Sequence, residues 1–99
     1  MPIYNAPLAD MKFILNDVFN AEQFWQANEK LAHVDAATAE AILEEMAKFA
    51  QNVTLPLNRT GDEEGAHYEN GKVTTPAGFK EAFQQYAEGG WIGLGAEEE

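Results

Sequence analysis

Apolar residues that follow Asp35 recur at the spacing of an α-helix, and this segment most limits the folds open to the chain. The repeating positions are Ala39, Ile42, Leu43, Met46, Ala50 and Val53. Intervals of three and four residues place them on one side of a helix. Asp35 is a suitable N-cap, because its carboxylate can accept a hydrogen bond from a free N–H of the first turn. The segment therefore predicts a helix from Asp35 to about Val53, and its alanines permit close packing against other helices.

A shorter helix is predicted near the start of the chain. It begins near Pro7, whose fixed φ suits a first helical turn. The apolar positions at helical spacing are Leu8, Met11, Leu15 and Val18. Phe13, Ile14 and Phe19 widen the apolar surface beyond one stripe, so we expect this helix to pack on more than one side.

Two more helices complete the expected set. One covers about residues 21–32 and brings Phe24 and Leu31 to one side. The other takes Thr75 as its cap and Pro76 as its first residue, and it ends at Gly89-Gly90. Its apolar face consists of Phe79, Ala82, Phe83 and Tyr86.

The segment between the third and fourth helices is rich in turn residues. Pro56 is expected to end the third helix, and the residues up to about 75 then form a long connection. Within it, Asn70-Gly71 favours a tight two-residue hairpin turn. The predicted fold class is all-α, with about four helices and a long loop or tiny hairpin between helices 3 and 4.

Composition limits the functions open to this fold. The 99 residues suffice for one domain, and 45% of them are hydrophobic, as in a globular protein. Seventeen acidic residues against six basic ones give a net charge of −11, which repels nucleic acid and anionic membrane surfaces. The chain contains neither cysteine nor an apolar run of about 18 residues. We therefore expect a cytoplasmic protein without disulfides, thiolate metal sites, or nucleic-acid or membrane partners.

Two motifs have part of the spacing of a metal-binding or nucleotide-binding site. Asp62, Glu64 and Ala66 lie at the spacing of calcium ligands, but His67 occupies the glycine position and alanine offers no carboxylate. The Gly93-Leu94-Gly95 segment lacks the preceding strand and following helix of a dinucleotide-binding turn. Neither motif predicts a site.

The remaining polar candidates also have simpler interpretations. Arg59 could hold a phosphate, but the acids at residues 62–64 favour an ion pair within its own segment. His33 and His67 have no adjacent nucleophile, and the pairs Glu44-Glu45 and Glu63-Glu64 lack a feature that would raise a carboxylate pKa. Glu44 is instead expected to pair with Lys48. Trp25 and Trp91 fit core or interface packing better than an acyl pocket. We predict no catalytic, cofactor-binding or metal-binding residues.

Several separated segments, in order along the chain, resemble one enzyme family. They are residues 4–15, Leu57-Asn-Arg-Thr-Gly-Asp62, Glu64-Gly65, Asn70-Gly71, Val73, Thr75-Pro76, Gly78-Phe79 and Gly89-Gly-Trp91 through Leu94. The family that they resemble is the flavin-dependent acyl-CoA dehydrogenases. Within it, the resemblance is to the subfamily with a short extra N-terminal segment, which includes enzymes acting on 3-methylmercaptopropionyl-CoA.

This resemblance implies the N-terminal helical domain of an enzyme that removes hydrogens from the α and β carbons of an acyl-CoA and passes a hydride to FAD. Residues 1–33 would form the N-terminal extension and residues 34–99 the start of the helical domain. In the family, the base, the main FAD contacts and most of the CoA groove lie outside the matching residues. The chain alone is therefore expected to be inactive and without a cofactor.

The partners that the resemblance implies are the β domain and C-terminal helical domain of the same enzyme, together with a second subunit in a homo-oligomer. The segment with Trp91, Ile92 and Leu94 lacks an evident covering element, as expected of a partial domain. The alternative is a free-standing acidic helical module that binds another protein.

Overall fold

The computed structural model describes residues 3–96, and these residues are mostly helical. The helices are α1 (Leu8–Lys12), α2 (Ala21–Gln26), α3 (Ala36–Phe49), α4 (Leu55–Glu64) and α5 (Phe79–Glu88). Two π-helical segments, Phe13–Val18 and Ala50–Thr54, follow α1 and α3, and a 3₁₀ turn covers Trp91–Gly93. Strands β1 (His67–Glu69) and β2 (Lys72–Thr74) lie between α4 and α5.

These elements confirm the predicted fold class. Helical backbone is continuous across α1 and its π segment, and again from α3 to α4, so the described residues form four helical stretches. The small hairpin lies between the third and fourth stretches, as expected. The chain divides into two compact units between Asn52 and Val53. The proposed division between an extension and a domain at residues 33 and 34 stays a prediction.

In the first unit, three hydrogen bonds fix how α1 and its π segment lie along the third stretch. Asn16 Nδ2 donates to Glu40 Oε1 at 3.0 Å, and Lys12 Nζ donates to Glu44 Oε1 at 3.1 Å. The Ala6 backbone N–H donates to Gln51 Oε1 at 3.1 Å. Later residues of the first stretch therefore pair with earlier residues of the third stretch, at about the same spacing. The two helical stretches are therefore antiparallel.

The second unit depends on two glycines. Gly61 of α4 lies against the ring of Phe79, where an added Cβ would be 2.5 Å from Cζ. Gly78 lies against Leu57, and an added Cβ there would be 2.7 Å from Cδ2. The missing side chains allow α4 and the start of α5 to approach closely, since interiors leave little unfilled space.

A hairpin projects from this helix pair. β1 and β2 are antiparallel, with Tyr68 opposite Val73. Asn70 and Gly71 have φ values of 52° and 77°, as a tight two-residue hairpin turn requires. The Glu64 carboxylate accepts a hydrogen bond of 3.0 Å from the Ala77 backbone N–H, which closes the base of the hairpin segment. The hairpin prediction is confirmed.

The second helix is shorter than expected. It ends at Gln26 rather than near residue 32, and turns follow it. Asn28 Oδ1 accepts the Lys30 N–H at 2.9 Å, and Gln26 Nε2 donates to the Val34 carbonyl at 3.0 Å. These side-chain bonds replace the backbone bonds that would continue the helix.

The expectation that Pro56 ends the third stretch and begins a long connection is wrong. Helical backbone continues to Glu64, with Pro56 in the first turn of α4. Pro56 lies just after the π segment, in the first turn of α4, which is the part of an α-helix where proline is tolerated. Gly61 is tolerated in the middle of α4 because it admits the Phe79 ring.

The fourth predicted helix begins later than expected and ends where predicted. Gly78, with φ at 90°, is the N-cap of α5, so Thr75-Pro76 precedes the helix. A φ in this range interrupts the right-handed helix and favours glycine. α5 ends at Glu88, with Gly89 as its C-cap and Gly90 at a φ of 80°.

Only small or cyclic residues are buried within the described residues. They are Ala47, Gly61, Pro76 and Ala82. Leu8, Met11 and Leu15 of the first stretch are half-buried, whereas Val18 is exposed. Larger apolar side chains therefore remain in part accessible to solvent, and the core is thin.

The Gly78 contact yields a stability test. We expect Gly78→Ala to destabilise the chain by about 1–2 kcal/mol from backbone strain alone, with a further cost from the approach to Leu57. Urea unfolding followed by circular dichroism measures the change. Gly90→Ala has a similar φ but open space, so it reports strain alone. Gly93→Ala has neither feature and should change stability least. A loss for Gly78→Ala no larger than that for Gly90→Ala would contradict the close packing of Leu57 against Gly78.

The N-cap of α3 yields a pH test. Asp35 Oδ1 accepts the Thr38 N–H at 2.7 Å, and this bond lowers the pKa of Asp35 from its usual 3.8. A lowered pKa means that the ionised cap stabilises the fold above about pH 3.8, and the stabilisation is lost as pH falls through the folded-state pKa. We expect Asp35→Ala to lower the melting temperature at pH 7 and to differ less from the parent once the pH falls below the folded-state pKa of Asp35, which lies below 3.8. Asp35→Asn keeps a hydrogen-bond acceptor, so its melting temperature should lie between those of the parent and of Asp35→Ala.

Candidate partner-binding surfaces

The first unit exposes a set of large apolar side chains around its first two helices. They are Ile3, Tyr4, Phe13, Ile14, Val18, Phe19 and Phe24. Phe13 is 57% exposed and Phe24 is 65% exposed. Single exposed apolar residues are ordinary, but this many close along the chain are typical of a surface that another protein covers. The expectation that the first helix packs on more than one side stays a prediction, because Phe13, Ile14 and Phe19 are exposed.

The second unit has its own exposed apolar side chains. Phe83 of α5 is 63% exposed, and Ile92 and Leu94 beside the 3₁₀ turn are each 60% exposed. Tyr68 and Val73, opposite each other on the hairpin, are also exposed. Trp91 is half-buried, with its indole against Gly89. The described part of this unit therefore exposes a second set of apolar side chains, whereas Trp91 packs in part against its own chain.

The acidic pairs considered as possible bases are already engaged. Glu44 forms an ion pair with Lys12. Lys48 was expected to pair with Glu44, but its Nζ instead lies 2.9 Å from Glu45 Oε1. The bond to Glu45 raises the pKa of Lys48. The predicted Glu44–Lys48 ion pair is wrong, because Lys12 of the packed first helix reaches Glu44 instead.

Glu63 and Glu64 are engaged as well. Arg59 Nε donates to Glu63 Oε1 at 2.9 Å across one turn of α4, and Glu64 holds the Ala77 N–H. Arg59 therefore pairs within its own segment, as expected, although that segment is helical. The Arg59 guanidinium thus lies among carboxylates, with Glu63 on its Nε and Asp62 three residues away, and these negative charges disfavour a phosphate ligand. We derive no flavin chemistry from these residues.

The other candidates remain separate. His67 is exposed on β1, and Asp62 and Glu64 belong to helix α4 rather than to a calcium-binding loop. In the range 3–96, no three histidine or acidic residues cluster as metal ligands would. Trp25 is half-buried, and Phe24 lines an open, shallow depression that also contains Glu29. No helix in this range is both long and apolar enough to cross a membrane.

Two polar features were missed in the sequence. The bond between Glu64 and Ala77 joins residues thirteen apart and depends on the fold, so no local signal predicts it. Asp10 and Asp17 are exposed at the edges of the Phe13 and Ile14 surface. Their seven-residue separation, two helical turns, is a signal that helical spacing could have revealed.

Comparison with known proteins finds similarity to an enzyme. No family model matches the chain. The chain is distantly related to the acyl-CoA dehydrogenases. The relative that shows this is 3-methylmercaptopropionyl-CoA dehydrogenase from Ruegeria pomeroyi (strain ATCC 700808 / DSM 15171 / DSS-3), with 35% identity over 91 residues.

The two lengths differ greatly. The match covers 92% of this chain and 15% of the relative. The helical units described above therefore correspond to a small part of a much longer enzyme.

The exposed apolar residues yield a test that separates folding from binding. We expect Phe83→Ser to change the free energy of unfolding by no more than about 0.5 kcal/mol, because the ring is mostly in solvent. The same substitution should raise the ammonium sulfate concentration at which the protein precipitates. Phe79→Ser is the matched control, since that ring covers Gly61 and its loss should destabilise the fold. Equal destabilisation by both variants would show that Phe83 belongs to the core.

Proposed function

We propose that this chain forms the N-terminal helical part of an FAD-dependent acyl-CoA dehydrogenase. Its role there is structural: it packs against the β domain and against a neighbouring subunit. The reaction of the whole enzyme is the removal of hydrogens from the α and β carbons of an acyl-CoA thioester. The observation that carries the proposal is the match to a dehydrogenase over 92% of the chain.

The surface chemistry supports a structural role. Both units leave large apolar side chains accessible, among them Phe13 and Phe83, and burying them against a partner would stabilise the assembly by about 25 cal/mol per Å² of apolar surface removed from water. Because the core within each unit is thin, such burial is a large gain for this chain. A scaffold that completes its core by assembly accounts for this pattern.

The two acidic pairs considered as possible bases also support it. The carboxylates of Glu44, Glu45, Glu63 and Glu64 take part in bonds that hold helices and turns. A general base needs a carboxylate free to reach substrate. In the proposed enzyme, the base and the flavin contacts come from the remainder of the polypeptide.

Immunoblotting tests the proposal directly. An antibody raised against this chain should detect, in extracts of the source cells, a protein several times larger than 10.9 kDa. That protein should retain yellow flavin absorbance after purification and reduce a dye when given an acyl-CoA. The purified 99-residue chain, saturated with FAD, should not reduce the dye above background.

Two other results would reject the proposal. A native protein of about the mass of this chain would favour a free-standing acidic module that binds another protein. A large protein that contains the chain but binds no flavin would place it in a different enzyme or assembly.

A further inference from the structure

The first helical stretch has two faces of different character. Its inner face carries Lys12 and Asn16, which bond Glu44 and Glu40 of α3. Leu8, Met11 and Leu15 lie on the same side of the helix by their spacing, and they are half-buried. These contacts prevent the stretch from turning its other face inward, so the outer face stays available to a partner.

The outer face consists of Asp10, Phe13, Ile14, Asp17 and Val18. Their spacings of three and four residues place them together along α1 and the π segment that follows it. Ile14 is 45% exposed and Val18 is 54% exposed, and both aspartates are exposed. The face is thus an apolar strip with a carboxylate near each end.

These carboxylates differ from others in the unit. Glu40 and Glu44 hold hydrogen bonds to the first stretch, and Glu45 holds Lys48. Within residues 3–96, Asp10 and Asp17 have no such side-chain bond or ion pair. Exposed charges beside an apolar strip contribute to partner choice and to the rate of association more than to folding.

The charges indicate what kind of surface covers the strip. A second copy of this chain would bring a net charge of −11. Within residues 3–96, the basic side chains of Lys12, Lys48 and Arg59 already pair with carboxylates of their own chain. Two such surfaces repel each other. A covering surface with lysine or arginine around an apolar centre matches both the strip and its aspartates.

We propose that this outer face docks a basic amphipathic segment of the polypeptide that completes the dehydrogenase. The identity of that polypeptide rests on the proposed function, whereas the chemistry of the face does not. The length of the relative agrees with this assignment. The chain corresponds to 15% of the relative, so the remaining part of such an enzyme is available to cover the outer face. Phe13 and Ile14 anchor the segment, and the two aspartates pair with its cations.

A peptide assay tests the chemistry of the face. The full 99-residue chain is titrated into a fluorescently labelled helical peptide of leucine and lysine, with a leucine and glutamate peptide of the same pattern as the partner control. We expect the basic peptide alone to bind. The double variant Asp10→Asn with Asp17→Asn should bind it about fivefold more weakly, since exposed ion pairs contribute modestly. Phe13→Ser with Ile14→Ser should reduce affinity about tenfold or more.

A charge-matched control separates the face from the general acidity of the chain. Glu81→Gln with Glu88→Gln removes the same number of charges from exposed positions of α5 and should change affinity less than twofold. Equal weakening by the two double variants would overturn the proposal. Circular dichroism of each variant confirms folding, and all six substituted positions are exposed.

A second measurement identifies the source of the segment. The remainder of the proposed dehydrogenase, expressed without this region, is mixed with the tagged chain, and capture is compared for the parent, the Asp10/Asp17 variant and the Glu81/Glu88 variant. Capture by the parent and the Glu81/Glu88 variant, with loss in the Asp10/Asp17 variant, supports the proposal. Capture that is equal for all three assigns the contact to another face and overturns it. If the basic peptide binds as expected but no such dehydrogenase exists, the proposed function and the assigned source fail, while the charge preference of the face stands.

Discussion

Close approach of helices at very small residues is the interaction on which this structure depends. Gly61 admits the Phe79 ring, Gly78 admits Leu57, and Ala47 and Ala82 are the buried apolar side chains of α3 and α5. Small contact residues bring helix backbones together, but each buries little apolar area. Glycines and alanines therefore determine where the elements of each unit pack, whereas most large apolar side chains remain exposed and can be buried by a partner.

Local sequence signals identified the elements well where the deciding interaction is also local. Asp35 bonds an N–H three residues away, Asn70-Gly71 forms its own turn, and Gly89-Gly90 ends α5. Each of these depends on backbone preferences and hydrogen bonds within a few residues. The candidate surface was partly visible for the same reason, since Phe13, Ile14 and Val18 follow helical spacing.

Features that depend on contacts between distant residues were not predicted from the sequence. Helical backbone continues past Pro56 because a π segment leads into α4, and Gly61 in the middle of α4 receives the ring of Phe79 from the next helix. The choice of Glu45 by Lys48 depends on Lys12 reaching Glu44 from another helix. Residue propensities do not encode such distant partners, so helix boundaries and ion pairs were less predictable than helix existence.

The hydrogen bond between Glu64 and Ala77 has a consequence for how chains of this kind can vary. The hairpin leaves and rejoins the helix pair at this one bond, and β1 and β2 are exposed throughout. Exposed hairpin tips are where insertions are best tolerated, because they disturb neither buried backbone nor helix packing. The Asn70-Gly71 tip is thus the place where the segment tolerates a change in length, and it offers a position for a label while the helices keep their arrangement.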